Sequence, residues 1–470
     1  MDMVPDVGVQ PTARLYQRNF FVVDLDQLKS ILAVDGIKDR NVAVVSIAGS
    51  VRCGKRLLLN FFLRYLYAQY KRHDMTEWMG NTVPEGYDWQ NERKRKIVEI
   101  WMWSEIFTHD YENGDQVAII LLGTQGIFDD RTGLRSSSSI FNLTMMLSSV
   151  QCFNIMQNIR KDHLRHLRLV TEYGTFVSKR LAGKAFQKLI FLVRDWPNSC
   201  ETGYGYHDQR FVDQMLATNF NRTVDMFEMR RHLAESFDKI GLFFMPHPGM
   251  AVLQKNIMRC KLRDINSEFL DYAAELSHQL FAPENLTMKL INGEKVRAGD
   301  FVEYFQSYVG VFKGINLPEM DTLYKATAEV MDSTLVSKCL RFYIAAMGKE
   351  AAVKNPYCAA VFRDIHKLFR IRATKMFQKN AKLGFGDKLA RLENAIEKEF
   401  LCFKRENEKK IKMKVVKRTI FIAVVTGGII CSVFGHLGTL IGSWLGGFLA
   451  LHSLDKDDKS ETEDDKQKQR

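Results

Sequence analysis

The sequence predicts an α/β domain built around a phosphate-binding loop, then an all-α three-helix bundle and a membrane hairpin. Three observations carry this. Short β-branched runs end in glycine-bounded or charged loops at three places in the chain, helical periodicity is nearly continuous after Leu317-Pro318, and no Asp, Glu, Lys or Arg occurs from Thr419 to Leu454. At 470 residues the chain exceeds one ordinary core. The expected divisions are a lead-in over 1–40, the α/β domain over 41–290, a linker over 291–317 and the bundle over 318–416. The apolar segment, 419–454, and a charged tail, 455–470, follow.

The first run, Val42-Ala43-Val44-Val45-Ser46-Ile47, leads into Gly49-Ser50-Val51-Arg52-Cys53-Gly54-Lys55 and the apolar-periodic stretch Leu57 to Tyr67. This is strand, loop and helix with the G-x-x-x-x-G-K spacing. Backbone N–H groups and the helix N-terminus cradle phosphate oxygens in such loops, and the lysine reaches the terminal ones. The next residue is normally Ser or Thr, whose hydroxyl binds magnesium; here it is Arg56, and a guanidinium has no acceptor to offer a cation. The second run, Val117 to Leu122, leads into Gly123-Thr124-Gln125-Gly126. A magnesium-holding Asp is expected at the end of this strand, and Gly123 takes its place. The third run, Leu189 to Val193, ends in Arg194-Asp195-Trp196. The Asp of such a pair can accept from the N1–H and exocyclic amine of guanine, a donor pair that adenine lacks.

Past Pro318, breaks at Asn355-Pro356 and Leu383-Gly384-Phe385-Gly386 leave segments near 320–349, 357–381 and 387–416. Three such helices with short connections make an antiparallel bundle. The apolar stripes along them read as core.

The 36 uncharged positions from Thr419 to Leu454 would make a helix of roughly 54 Å, against a hydrocarbon core of about 30 Å. Gly435-His436-Leu437-Gly438 supplies a break between two short arms, which favours a hairpin; the rival is one tilted span with an interfacial remainder. Six Lys and Arg between Lys409 and Arg418 place the start of the first arm on the cytosolic side. The tail ends Lys466-Gln467-Lys468-Gln469-Arg470, the spacing of a dilysine retrieval signal and also a chance product of a lysine-rich tail.

The formal charge is +12. Its densest runs, Arg93 to Lys96 and Lys409 to Arg418, lie at a switch loop and at the entry to the apolar segment, so they do not compose a nucleic-acid face. The eight cysteines include no C-x-x-C pair, which argues against structural zinc and a disulfide framework.

With these motifs in order, the sequence resembles the atlastins, in the guanylate-binding branch of the dynamin superfamily. The likeness spans about residues 40 to 410. It includes Trp103-Ser104-Glu105-Ile106-Phe107, Gln157-Asn158-Ile159, Thr171-Glu172-Tyr173-Gly174, Pro246-His247-Pro248-Gly249 and Ala326-Thr327-Ala328-Glu329. The resemblance implies a dynamin-like P-loop GTPase domain, a three-helix bundle and a membrane hairpin. It implies a multi-pass protein of the endoplasmic reticulum membrane with both termini cytosolic, acting in tubule organisation and fusion. Its partners would be that membrane and a homo- or heterodimer with atlastin-like chains, without nucleic acid.

By the same resemblance Arg52 is an arginine finger. Arg52, Cys53, Gly54, Lys55, Arg56, Leu57, Gln125, Gly126, Arg194, Asp195 and Val252 fall at nucleotide-binding positions. The ligand implied is GTP or GDP. The family's switch threonines, counted back from Trp103, are Ile97 and Val98 here, so with Arg56 and Gly123 the usual magnesium positions are replaced. Two functions follow: an atlastin-like GTPase with unusual metal use, or a non-hydrolysing pseudo-GTPase that regulates or pairs with an active atlastin.

Overall fold

The structure is a computed structural model that describes residues 10–16, 20–23, 25–50, 53–80, 98–124, 127, 134–180, 183–220, 224–250, 252, 262–313, 317–382, 386–422 and 424–425. Two compact units divide between Val330 and Met331.

The first unit is built on a ten-stranded sheet. Its strands are β1 (Gln10–Tyr16), β2 (Phe20–Val23), β3 (Asn41–Gly49), β4 (Val98–Met102), β5 (Phe107–Asp110), β6 (Gln116–Thr124), β7 (Val150–Met156), β8 (Phe186–Arg194), β9 (Gly205–His207) and β10 (Phe237–Phe244). The spatial order is β2-β1-β4-β6-β3-β7-β8-β10-β9, with β5 also on β6. The five central strands, β6, β3, β7, β8 and β10, run parallel. They are nearly continuous apolar runs, as strands covered on both faces must be: in β3 every residue from Val42 to Gly49 is buried. Antiparallel pairs finish both sides.

β3 is flanked by β6 and β7, the strands that follow it on opposite sides, so the chain reverses its direction across the sheet there. Ligands of open α/β sheets bind beyond the carboxyl ends of strands at such a switch point. The loop after β3 occupies that place. The helix Lys55–Tyr67 then buries itself nearly all round, with Phe61, Phe62 and Leu63 wholly inaccessible. Its outer side meets the helix Ser267–Phe281, where the Phe62 and Phe281 rings lie 5.2 Å apart.

Two stretches differ from their expected roles. The lead-in contributes β1, β2 and the helix Leu25–Leu32, so it belongs to the domain. The stretch 291–317, expected as a linker, completes a hairpin through Asn292 and Gly293, both at positive φ, the signature of a tight hairpin turn. It then forms the helix Ala298–Phe312, which buries Phe301, Tyr304, Phe305, Tyr308 and Phe312.

The second unit holds the rest of the helix Met320–Ala351, the helix Ala359–Asn380 and a helix over 386–422. Their common core includes Tyr343, Met347, Phe362, Phe377, Leu392, Ile396 and Phe400. His366 stacks on Phe400 at 3.9 Å and bonds the Tyr343 hydroxyl at 2.8 Å. Arg370 reaches Glu393 and Glu397.

Among the described residues no helix is long and apolar enough to cross a membrane. The expected hairpin over 419–454 lies almost wholly outside those residues, as does the tail, so the multi-pass topology has no structural support here.

Candidate nucleotide site

The chain leaves β3 through a loop that only glycine permits at two points. A Cβ on Gly49 would stand 1.9 Å from the Asn154 carbonyl oxygen of β7. Gly54 sits at φ 68 as the N-cap of the next helix, and a Cβ there would stand 2.7 Å from an Arg194 nitrogen. Lys55 is buried, its ammonium donating to the Gly49 and Ser50 carbonyls at 3.0 and 2.6 Å. Its head is thereby held over the loop.

Of the other candidates that the sequence suggests, Arg52, Gln125, Gly126 and the switch residue Ile97 lie outside the described residues. Leu57 and Val252 are buried in the same apolar cluster, so both side chains serve the core. Cys53 is also buried, which pushes its thiol pKa up; its carbonyl accepts from two side chains.

That carbonyl organises one end of the site. Arg194 Nη1 donates to Cys53 O at 3.1 Å, and Asn154 Nδ2 donates to the same oxygen at 2.9 Å. The Arg194 guanidinium is 3 % exposed, lies 5.0 Å over the Phe269 ring, and has its pKa pushed down by burial. Arg194, expected beside Asp195 in base recognition, thus braces the phosphate loop.

Asp195 follows immediately at φ 54, a left-handed conformation that Asp tolerates better than most residues. The corner is pinned on both sides: Gln157 N donates to Arg194 O at 2.7 Å and Trp196 N to Met245 O at 3.1 Å. Trp196 stacks on Phe244 at 4.1 Å. Asp195 Oδ1 is buried with no hydrogen-bond donor among the described residues. A buried carboxylate oxygen held this way is an acceptor poised for a donor.

The other end is filled. Gly123 is paired with Ile47 of β3 and Trp101 of β4. A Cβ added to it would meet Leu59 Cδ1 at 2.6 Å, and Leu59 is wholly buried. Arg56 is 7 % exposed, its guanidinium 4.5 Å from the Trp101 ring centroid, a cation–π geometry. Val98 opens β4, its backbone paired with Leu15 of β1. Magnesium demands hard oxygen donors in near-octahedral array; among the described residues, the positions Arg56 and Gly123 present a guanidinium on an indole and a glycine against a leucine, side chains that do not fit the ion. Among the described residues no three His, Cys, Asp or Glu side chains gather to hold a metal elsewhere.

Residues 18–290 match the family model for the guanylate-binding protein N-terminal domain. Over 433 residues the chain is 38% identical to the protein named Atlastin from Drosophila melanogaster, covering 90% of this chain and 80% of that one. The chain belongs to the atlastins. It is 35% identical to Atlastin-2 of Homo sapiens, over 92% of this chain and 73% of the relative. With Atlastin-1 of Bos taurus the identity is 33%, over 89% and 76%.

Within this atlastin-family site, Asn154, Leu59 and Trp101 escape sequence reasoning. Asn154 has one signal, a lone amide in the otherwise apolar end of β7. Leu59 and Trp101 have none, because a leucine on a buried helix and a tryptophan on a strand read as core until their neighbours are known.

Proposed function

We propose that this atlastin-family chain is a membrane-anchored protein of the endoplasmic reticulum that binds guanine nucleotide, hydrolyses it weakly or not at all, and serves tubule organisation. It does so paired with a second copy or with an active atlastin. The backbone N–H groups around Gly54 and Lys55, at the start of a 13-residue helix, would hold the phosphates, and Asp195 would take the base.

The observation that carries the reading is the filled metal end: Leu59 against Gly123, and Arg56 on Trp101. Phosphoryl transfer is mostly positioning and electrostatic stabilisation. Loss of one stabilising group commonly costs about 3 kcal/mol of barrier lowering, and here Arg56, Gly123 and Val98 stand at three such positions.

The test is nucleotide affinity and phosphate release by the full chain in detergent, with magnesium and with a chelator. The expected outcome is binding of GDP and of a GTP analogue that the chelator leaves unchanged, with release near background. Magnesium-dependent turnover at the rate of an active atlastin would end the proposal.

A further inference from the structure

The helix over 386–422 changes character along its length. Its earlier turns pack into the bundle core through Leu392, Ile396 and Phe400, and two of its cations find acids in cis: Lys404 with Glu408 at 3.8 Å and Lys410 with Glu406 at 3.2 Å. From Lys409 onward the acids stop. No Asp or Glu occurs between Glu408 and Asp455, while Lys409, Lys414, Lys417 and Arg418 are all exposed on the helix. Lys414 donates to the Asn355 side chain at 3.1 Å, a neutral partner. Among the described residues the other three form no ion pair.

These four cations share a face. At 100° per residue they fall at about 0°, 140°, 80° and 180° from Lys409, half the helix perimeter. The same half carries Met413, Ile420 and Phe421, which are 58%, 47% and 68% exposed. Cations interleaved with large exposed apolar side chains suit neither water nor a polyanion alone. They suit an interface where ammonium heads meet phosphate while stems and apolar neighbours enter hydrocarbon. The 36 uncharged positions begin at Thr419, directly after Arg418.

We infer that the turns from Lys409 to Phe421 form a clamp for acidic phospholipid headgroups, with Lys409, Lys414, Lys417 and Arg418 as the cations and Met413, Ile420 and Phe421 seated between the lipids. This rests on the membrane-anchored reading above and adds the class of lipid the protein gathers. Clusters of four or more Lys and Arg beside a membrane segment attract anionic lipid in this way, each cation weakening with salt.

The test reconstitutes the full chain into phosphatidylcholine vesicles containing a minor share of phosphatidylserine. Resistance to alkaline carbonate reports anchoring, and the lipid shell recovered with the protein reports selectivity. The wild-type shell should hold serine lipid about tenfold above the bulk ratio at low salt, and approach bulk in about 1 M salt. The variant Lys409→Gln/Lys417→Gln/Arg418→Gln should remain carbonate-resistant with a shell at bulk ratio. The swap Lys417→Arg/Arg418→Lys should keep the enrichment. A carbonate-resistant wild type with a bulk-like shell would overturn the clamp and leave the anchor standing. A wild type released by carbonate would overturn the anchor itself. Loss of enrichment to inorganic phosphate at constant ionic strength would overturn the assignment to lipid in favour of free phosphate.

Discussion

Two buried arginines flank the phosphate loop, each over an aromatic ring, and they have opposite meanings. Arg194 lies 5.0 Å over Phe269 and gives a donor to the Cys53 carbonyl, beside an Asp195 oxygen with no donor among the described residues. Arg56 lies 4.5 Å over Trp101, where a magnesium-binding hydroxyl belongs, beside a glycine whose side-chain space Leu59 occupies. On the proposed reading, one arginine supports a site and the other helps to fill one. Loss of a ligand by substitution and loss by refilling differ in consequence. A vacated metal position can be restored by a single reversion, whereas a refilled one resists it.

The largest test of the comparison falls on the supported end. Asp195→Ala should abolish preference for guanine over adenine nucleotides, because hydrogen bonds to a charged acceptor contribute about 1.5–3 kcal/mol each and guanine offers two donors. A loss of about a hundredfold or more in competitive binding is the expected result. Unchanged selectivity would move base recognition away from this corner.

The refilled end supplies the next effect. Gly123→Asp alone should destabilise the fold by about 2–3 kcal/mol in denaturant titration, since it sets a carboxylate against the wholly buried Leu59. It should confer no magnesium dependence. Combined with Leu59→Ala and Arg56→Ser, the same aspartate gains space and loses the adjacent guanidinium, and magnesium should then tighten nucleotide binding. If Gly123→Asp by itself restores a magnesium response, the position was merely vacated.

Much of the fold is legible without these contacts. The runs at 42–47, 117–122 and 189–193 lie inside β3, β6 and β8, and the three segments expected past Pro318 match helices over 320–351, 359–380 and 386–422. Apolar periodicity is a local signal and survives in a single sequence. The helix Ala298–Phe312 is just as local, with Phe301, Tyr304, Phe305, Tyr308 and Phe312 at helical spacing. Its place between two domains is what makes it read as a linker. The sheet pairing of β1 with β4 joins residues more than 80 positions apart and leaves no pattern to find. In the site, the glycine–lysine spacing exposes the loop. The roles of Arg194, Asn154 and Leu59 depend on which atoms meet across strands, which spacing cannot encode.

Arg56→Ser separates packing from ligand chemistry. Removing the guanidinium forfeits a buried cation–π contact and the burial of its stem, together about 1–2 kcal/mol of stability in thermal or denaturant unfolding. If Arg56 also offsets phosphate charge, nucleotide affinity falls beyond what the stability change explains. If it only fills space, affinity holds.

The smallest effect belongs to Asn154. Its amide is wholly buried, and Nδ2 shares the Cys53 carbonyl with Arg194. Asn154→Ala removes one neutral bond from an oxygen that keeps its charged donor, so the stability cost should be only about 1 kcal/mol. The loop it helps to hold carries Gly54 and Lys55, so nucleotide affinity should fall several-fold while guanine selectivity, set at Asp195, stays as it was. The equivalent loss in Asn154→Ala and Asp195→Ala would mean that loop and base corner act as one unit. Selectivity preserved in the first and lost in the second would assign positioning to Asn154 and recognition to Asp195.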